Sequence, residues 1–164
     1  MTLLYDELTQ ACSKEVTLKY STSFYKAVNL LSPIIQQDIH NIYGFVRFAD
    51  EIVDTFHEHN QEELLKQFEE DFYAALKVGI SLNPILNSFQ KTILKYDIDI
   101  SLIDAFMRSM KMDLYKSQYS TQEEYKQYIY GSADVVGLMC LEVFVEGDQS
   151  LYESLKESAM RLGS

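Results

Sequence analysis

A run of apolar residues near the end of the first third of the chain holds an arginine and three carboxylates among its most apolar positions. The run, YGFVRFADEIVDTFHEH, begins at Tyr43, and these charged residues are Arg47, Asp50, Glu51 and Asp54. At about 100° per residue of an α-helix, Asp50 and Asp54 share one edge of the apolar face with Tyr43 and Arg47. Like charges one turn apart cost an exposed helix about 0.2–0.5 kcal/mol, and more as they leave water. Arg47 neutralises part of this charge, and a divalent cation would neutralise the rest.

Magnesium suits the aspartate pair better than zinc does, because it accepts one or two carboxylates and takes other ligands from water and substrate phosphates. The spacing fits a salt-bridged rim of a buried helix equally well. A helical di-iron site is a further alternative, in which Asp54 and His57 would form half of a carboxylate–histidine motif. That architecture needs the motif twice, and Gln37 and Phe56 stand where the second carboxylate would be. We therefore expect His57 to lie at the solvated end of the helix.

These residues require a helical frame, and helix boundaries are marked along most of the chain. Two prolines and six glycines leave little material for turns. Capping residues and apolar periodicity predict helices over 32–59, 60–79, 83–94, 101–114, from 121 through 137, and from 150 onwards. The predicted starts are Ser32, Asn60, Asn83, Ser101, Thr121 and Ser150. We predict an all-α protein of six or seven helices, forming a single domain over residues 1–164.

Composition excludes several classes of function. The 164 residues carry a net charge of −11, which argues against nucleic acid as a partner because phosphate binding needs a basic surface. The two cysteines, Cys12 and Cys140, form no disulfide framework or zinc motif. Neither a signal peptide nor a membrane-spanning run is present, so we expect a cytoplasmic protein.

Three segments resemble the squalene/phytoene synthase family of head-to-head prenyl transferases. YSTSFYKAVNLL, at 20–31, resembles the Ser-x-Ser-Phe opening of the family, and IYGFVRFADEIVD, at 42–54, its first aspartate-rich motif. MKMDLYKSQY and YIYGSADVVGLMCLEVF, from 110 and 128, resemble its Met-Asp-Leu helix and the helix after it. The resemblance implies a helical bundle of the isoprenoid synthase type, of which this chain is an N-terminal portion.

The implied reaction joins two prenyl diphosphates through a cyclopropylcarbinyl diphosphate. Asp50 and Asp54 would hold Mg²⁺ against a substrate diphosphate. The positions that match diphosphate-binding residues of the family are Ser21, Ser23, Tyr43 and Arg47. Arg47 and Tyr128 match catalytic positions, and Tyr128 would stabilise positive charge near the reacting carbons. Peripheral contact with a membrane would serve release of an apolar product.

Several of these residues also have purely structural interpretations. Ser21 and Ser23 suit a helix cap, and Tyr128 suits a packed core. Asp113 suits a buried hydrogen-bonding residue, and we do not assign it as a metal ligand. The stripe of Phe106, Met107 and Met110 suits the core as well as a cavity wall.

Two departures from the family pattern bear on function. Ser132-Ala133-Asp134 stands where the family usually has Val-Ala-Gly. The family's second aspartate-rich motif, which supplies the facing magnesium ligands, is expected to lie beyond Ser164. We therefore expect the complete protein to be an enzyme and these 164 residues alone to be inactive.

The residues of these motifs favour synthesis of phytoene from two geranylgeranyl diphosphates. The alternatives are a squalene or dehydrosqualene synthase that uses farnesyl diphosphate, and a non-catalytic helical assembly protein of the same family. Retention of both Asp50 and Asp54 favours an enzyme.

Overall fold

The computed structural model describes the backbone of residues 3–115 and 121–163 and the side chains as far as Arg161. Every regular element in these ranges is a helix, which confirms the all-α prediction. The helices are α1 (Leu3–Tyr20), α2 (Thr22–Val28), α3 (Pro33–Asp54), α4 (Gln61–Val78), α5 (Pro84–Tyr96), α6 (Ile100–Tyr115), α7 (Gln122–Ile129), a π-helical turn π1 (Tyr130–Asp134), α8 (Val135–Phe144) and α9 (Gln149–Gly163). The segment MKMDLYKSQY, which begins at residue 110, lies partly outside the described residues, because residues 116–120 are not among them.

The helices number eight in the described ranges when α7, π1 and α8 are counted as one continuous rod. Both α1 and the short α2 precede Ser32, the first helix start that the capping residues predicted. Ser21 interrupts the path from α1 with an extended backbone (φ −151°, ψ 91°), and its Oγ accepts a hydrogen bond of 3.2 Å from the Phe24 amide. One serine thus ends one helix and caps the next.

The long helix α3 ends at Asp54, five residues before the predicted boundary. The side chain of Gln61 donates hydrogen bonds of 2.9 Å to the carbonyls of both Ile52 and Val53. These carbonyls would otherwise need the amides of a further helical turn. Because Gln61 supplies the donors from α4, the chain is free to turn away directly after the aspartate pair.

Local capping decides most of the other boundaries. Asn60, Asn83 and Thr121 cap their helices through side-chain oxygens, as predicted. Ser101 and Ser150 are wrong as helix starts, because Asp99 and Asp148 accept the first-turn amides instead. Ser32 precedes Pro33 as predicted but makes no side-chain capping hydrogen bond.

The centre of the core is an aromatic cluster around Phe45 of α3. Its ring centroid lies 4.1 Å from that of Phe89, 5.2 Å from Phe68, 5.4 Å from Phe72 and 5.6 Å from Phe106. Phe68 and Phe72 come from α4, Phe89 from α5 and Phe106 from α6. The cluster therefore fixes α3 among three other helices.

The opposite flank of α3 is held by polar contacts with α1. The buried residues of α1 are Thr9, Ser13 and Thr17, none of them apolar. Thr17 Oγ1 lies 2.9 Å from Nδ1 of His40 on α3. Burial, with a contribution from Lys14, lowers the pKa of His40 to about 4, so this imidazole is neutral at physiological pH.

Among residues 3–115 and 121–163, we find no helix with the length and apolar composition needed to cross a membrane.

Candidate functional site

The aspartate pair lies on the last two turns of α3. Asp50 is half-buried and Asp54 is exposed. Burial raises the pKa of Asp50 to about 6; the charge of Asp54 adds to this rise, and Arg47 opposes it. The carboxylates are therefore close enough to repel each other in a partly desolvated position, as the helical spacing predicted.

A third carboxylate, Asp113, approaches from α6. Burial, followed by the charge of Asp54, raises the pKa of the half-buried Asp113, and its own charge contributes to the raised pKa of Asp50. Asp113 thus belongs to the electrostatic environment of the pair, a role that the sequence interpretation did not give it. It stands far from Asp50 and Asp54 in the chain and on another helix, so helical spacing carried no sign of it.

These carboxylates suit magnesium better than a metal ion whose ligands all come from the protein. In the described part of the chain, no group of three or more histidine, cysteine, aspartate and glutamate side chains is arranged to hold a metal ion. Magnesium needs no such group, since it is held by one or two carboxylates together with water and substrate phosphate. A divalent cation would offset the mutual repulsion of these carboxylates.

Arg47 lies beside the pair in an unusual setting. Its Nη2 is 3.1 Å from Glu51 Oε2, and its guanidinium carbon lies 4.8 Å from the centre of the Tyr20 ring. Its Nε is buried and has no hydrogen-bond partner among the described residues. Glu51, which the sequence interpretation treated only as a neighbouring charge, is therefore the partner of Arg47.

Ser21, Ser23 and Tyr43 lie at the junction of α1, α2 and α3. Ser21 caps α2, which is the structural role considered for it, and its Oγ lies 3.4 Å from that of Ser23. Burial raises the pKa of Tyr43; Arg47 and a hydrogen bond from Ser21 lower it, and Asp50 raises it. The structure thus brings these residues together with Arg47 and Asp50.

Tyr128 completes the cluster from α7. Burial raises its pKa most, followed by the charge of Asp113, with smaller contributions from Asp54 and Asp50. A hydrogen bond from Ser132 of π1 acts in the opposite direction. The phenol is therefore close enough to these carboxylates of α3 and α6 for their charges to raise its pKa.

The tight approach of Gly131 to α6 sets the position of Tyr128. A Cβ on Gly131 would lie 1.8 Å from Ser109 Oγ and 2.6 Å from the Ala105 carbonyl oxygen. Only glycine allows π1 to pack this closely against α6.

An apolar cavity of about 510 Å³ borders this cluster. It is lined by Phe24, Val46, Ser132, Ala133, Val136, Gly137, Cys140, Leu141, Phe144, Leu155, Ser158 and Ala159. Two of these residues connect it with the polar cluster. Phe24 packs against Tyr43, with ring centroids 5.1 Å apart, and Ser132 bonds to Tyr128.

The sequence did not reveal this cavity wall. The Phe106, Met107 and Met110 stripe is buried in the core and does not line the cavity. The wall comes mainly from α8 and α9, whose composition resembles that of any packed helix. Only their position around the same cavity as Phe24 of α2 and Val46 of α3 distinguishes them.

Two other residues singled out in the sequence lie away from the cluster. His57 follows α3 in an exposed turn, where its Nδ1 is 3.4 Å from Gln61 Nε2. Asp134 ends π1 and lines a shallow pocket with Glu157, Met160 and Arg161 of α9.

The family model for squalene/phytoene synthase matches residues 17–164. The chain therefore belongs to the squalene/phytoene synthase family. Its similar relatives include a phytoene synthase of Arthrospira platensis, 29% identical over 161 residues that cover 92% of this chain and 52% of the relative. A chloroplastic phytoene synthase of Cucumis melo is 30% identical, over 98% of this chain and 38% of the relative.

The fold is that of the isoprenoid synthases. A crystal structure of a dehydrosqualene synthase in complex with ligand superposes with a TM-score of 0.81 at 20% identity, covering 99% of this chain and 55% of the other. The chain thus spans about half the length of that protein and of the Arthrospira relative, and less of the Cucumis one.

Proposed function

We propose that the complete protein catalyses the head-to-head condensation of two geranylgeranyl diphosphates to phytoene. The observation that carries this proposal is the polar cluster of Asp50, Asp54, Arg47 and Tyr43 at the border of the apolar cavity. A prenyl diphosphate is a dianionic or trianionic head on a long apolar tail, and these adjoining regions match its two parts. The phytoene synthase relatives support the choice of substrate.

The binding roles follow from the positions of the side chains. Arg47, whose side chain is 23% exposed, offers its guanidinium to a diphosphate oxygen, with Nη2 fixed by Glu51. The hydroxyls of Ser21, Ser23 and Tyr43 donate further hydrogen bonds. The cavity against α8 and α9 holds the tail and excludes water from the carbon that ionises.

Magnesium, held by Asp50 and Asp54, would stabilise the departing diphosphate as a Lewis acid. Tyr128 faces the same space, where its ring would stabilise positive charge on the allylic carbons. This charge appears twice along the reaction, before and after the cyclopropylcarbinyl diphosphate. We assign Tyr128 to these steps because the charges of Asp113, Asp54 and Asp50 all raise its pKa.

The test is product analysis with the complete protein. With Mg²⁺ and geranylgeranyl diphosphate, we expect pyrophosphate release and a C40 product with a C1–C1′ bond. Asp50→Ala should lower turnover by at least about a hundredfold, which corresponds to about 2.7 kcal/mol of transition-state stabilisation. Glu15→Ala, at a side chain that is 57% exposed, is the matched control and should retain activity.

Two other outcomes identify the alternatives. Preferential consumption of farnesyl diphosphate would indicate a squalene or dehydrosqualene synthase. No pyrophosphate release from either substrate, by a folded protein, would contradict an enzymatic function and favour a helical assembly protein.

A further inference from the structure

Arg47 has two carboxylates within helical reach, one on each side. At about 100° per residue, Asp50 lies about 60° to one side of Arg47 and Glu51 about 40° to the other. The guanidinium pairs with Glu51, at 3.1 Å. The observed pairing leaves Asp50 without the ion pair that its own spacing would allow.

Two other residues hold this arrangement in place. The Tyr20 ring lies under the guanidinium at 4.8 Å, within the range of a cation–π interaction. The Tyr20 hydroxyl also shares a hydrogen bond with Glu51. Thr55 Oγ1 donates a hydrogen bond to Oε1 of the same carboxylate. The last residue of α1 and the first residue after α3 therefore brace a side chain in the middle of the site.

The orphaned Nε of Arg47 shows what the arrangement leaves open. A buried donor without a partner is energetically costly, and more so when it is charged. Asp50, three residues along the same helix, is the other carboxylate within reach of a rotated guanidinium. The side chain keeps its place because Glu51 holds Nη2 and the Tyr20 ring packs against the face of the group.

We propose that Glu51 and Tyr20 are positioning residues that prevent Arg47 from pairing with Asp50. The aspartate pair then remains available to a divalent cation, and the exposed part of the Arg47 guanidinium remains available to an anionic oxygen. The identity of that anion as a diphosphate rests on the function proposed above, whereas the positioning of Arg47 does not.

A double-mutant cycle on Mg²⁺ affinity tests the proposal without turnover. We expect Glu51→Gln to weaken Mg²⁺ binding to the complete protein, measured calorimetrically, by about fivefold or more, because Arg47 then competes for Asp50. In an Arg47→Met background, the same Glu51→Gln change should alter Mg²⁺ affinity by less than about twofold. Glu58→Gln, which removes one exposed charge nearby, is the control and should leave the affinity unchanged.

Additivity would overturn the proposal. If Glu51→Gln weakens Mg²⁺ binding equally in both backgrounds, Glu51 acts only through its own negative charge. An unchanged affinity in Glu51→Gln would overturn it as well.

A crystal structure of Glu51→Gln provides a second test that requires no metal binding. We expect the guanidinium within hydrogen-bond distance of Asp50, and its retention at position 51 would contradict the proposal. Tyr20→Phe keeps the ring and should preserve most of the Mg²⁺ affinity, whereas Tyr20→Leu should reduce it. If the cycle is non-additive but the wild-type protein releases no pyrophosphate, the positioning role is retained and the proposed function is refuted.

Discussion

Asp50 carries a charge that the folded chain accommodates poorly by itself. Its pKa of about 6 exceeds the ordinary value of 3.8, first because of burial and then because of Asp54. The folded protein therefore binds this proton more tightly than the unfolded chain does. Ionisation of Asp50 lowers stability above pH 6, and the penalty disappears as the pH falls below about 4. Such a cost is typical of residues retained for binding rather than for folding.

Replacement of Asp50 by asparagine should therefore stabilise the protein in the absence of metal. At pH 7.5 we expect Asp50→Asn to raise the Tm, with about 2–4 °C for each kcal/mol gained. The gain should become small near pH 4, where Asp50 is protonated in the folded protein and about half protonated in the unfolded chain. Thermal unfolding followed by circular dichroism at the two pH values measures it.

Added Mg²⁺ provides the complementary measurement. It should raise the Tm of the wild type at pH 7.5 and leave that of Asp50→Asn almost unchanged. Asp54→Asn, at an exposed position, is the comparison and should give a smaller gain without metal. A lower Tm for Asp50→Asn at pH 7.5 would show that its charge is already compensated within the chain.

At the scale of helices, boundaries were predictable where one local interaction decides them. Asn60, Asn83 and Thr121 cap their own first turns, so a few residues of sequence suffice. Ser101 and Ser150 were wrong for one shared reason. In each case an aspartate two residues earlier accepts the amide hydrogen bond, and a carboxylate is the stronger acceptor.

The candidate site was predictable to the extent that it lies on one helix. Helical spacing alone placed Asp50, Asp54, Arg47 and Tyr43 on one edge of α3. The family resemblance, not the spacing, pointed to Tyr128. Asp113 was not assigned, because its approach depends on how α6 packs against α3, and no local pattern encodes that packing.

Gly131 is the position where helix packing should be most sensitive to a single methyl group. Gly131→Ala places a Cβ 2.6 Å from the Ala105 carbonyl oxygen, a backbone atom, so α6 and π1 must separate. We expect a loss of about 1–3 kcal/mol in the free energy of unfolding, measured with urea. Gly44→Ala is the matched change, with its nearest contact at 3.3 Å to the Ser13 hydroxyl, and should cost less. Equal costs for the two variants would contradict the close approach.

At the scale of the whole molecule, one phenylalanine connects the helices that carry the site. Phe45 is fully buried and packs against rings from α4, α5 and α6. It also stands between Tyr43 and Arg47 in sequence, with its side chain on the opposite face of α3. Core packing and the placement of the polar cluster therefore depend on the same two turns of helix.

Phe45→Ala should consequently destabilise the entire described fold. We expect a loss of about 3–5 kcal/mol in the free energy of unfolding, because the four surrounding phenylalanine rings cannot fill the cavity that the substitution leaves. Urea unfolding followed by both circular dichroism and intrinsic tyrosine fluorescence measures it, and the two transitions should coincide. Leu94→Ala, at a side chain that is 59% exposed, should change stability by less than about 0.5 kcal/mol. Separate transitions for the two probes would show that Phe45 stabilises only part of the bundle.

The π turn between α7 and α8 has a consequence for how relatives of this chain are compared. Each residue added to or removed from a helix rotates everything after it by about 100°. Five residues, Tyr130–Asp134, separate the helix that bears Tyr128 from the helix that lines the cavity. A relative with one residue fewer in this interval would present a different strip of α8 to the cavity, even with an identical α8 sequence. A one-residue gap aligned here therefore predicts a differently shaped cavity more strongly than a substitution in the wall does.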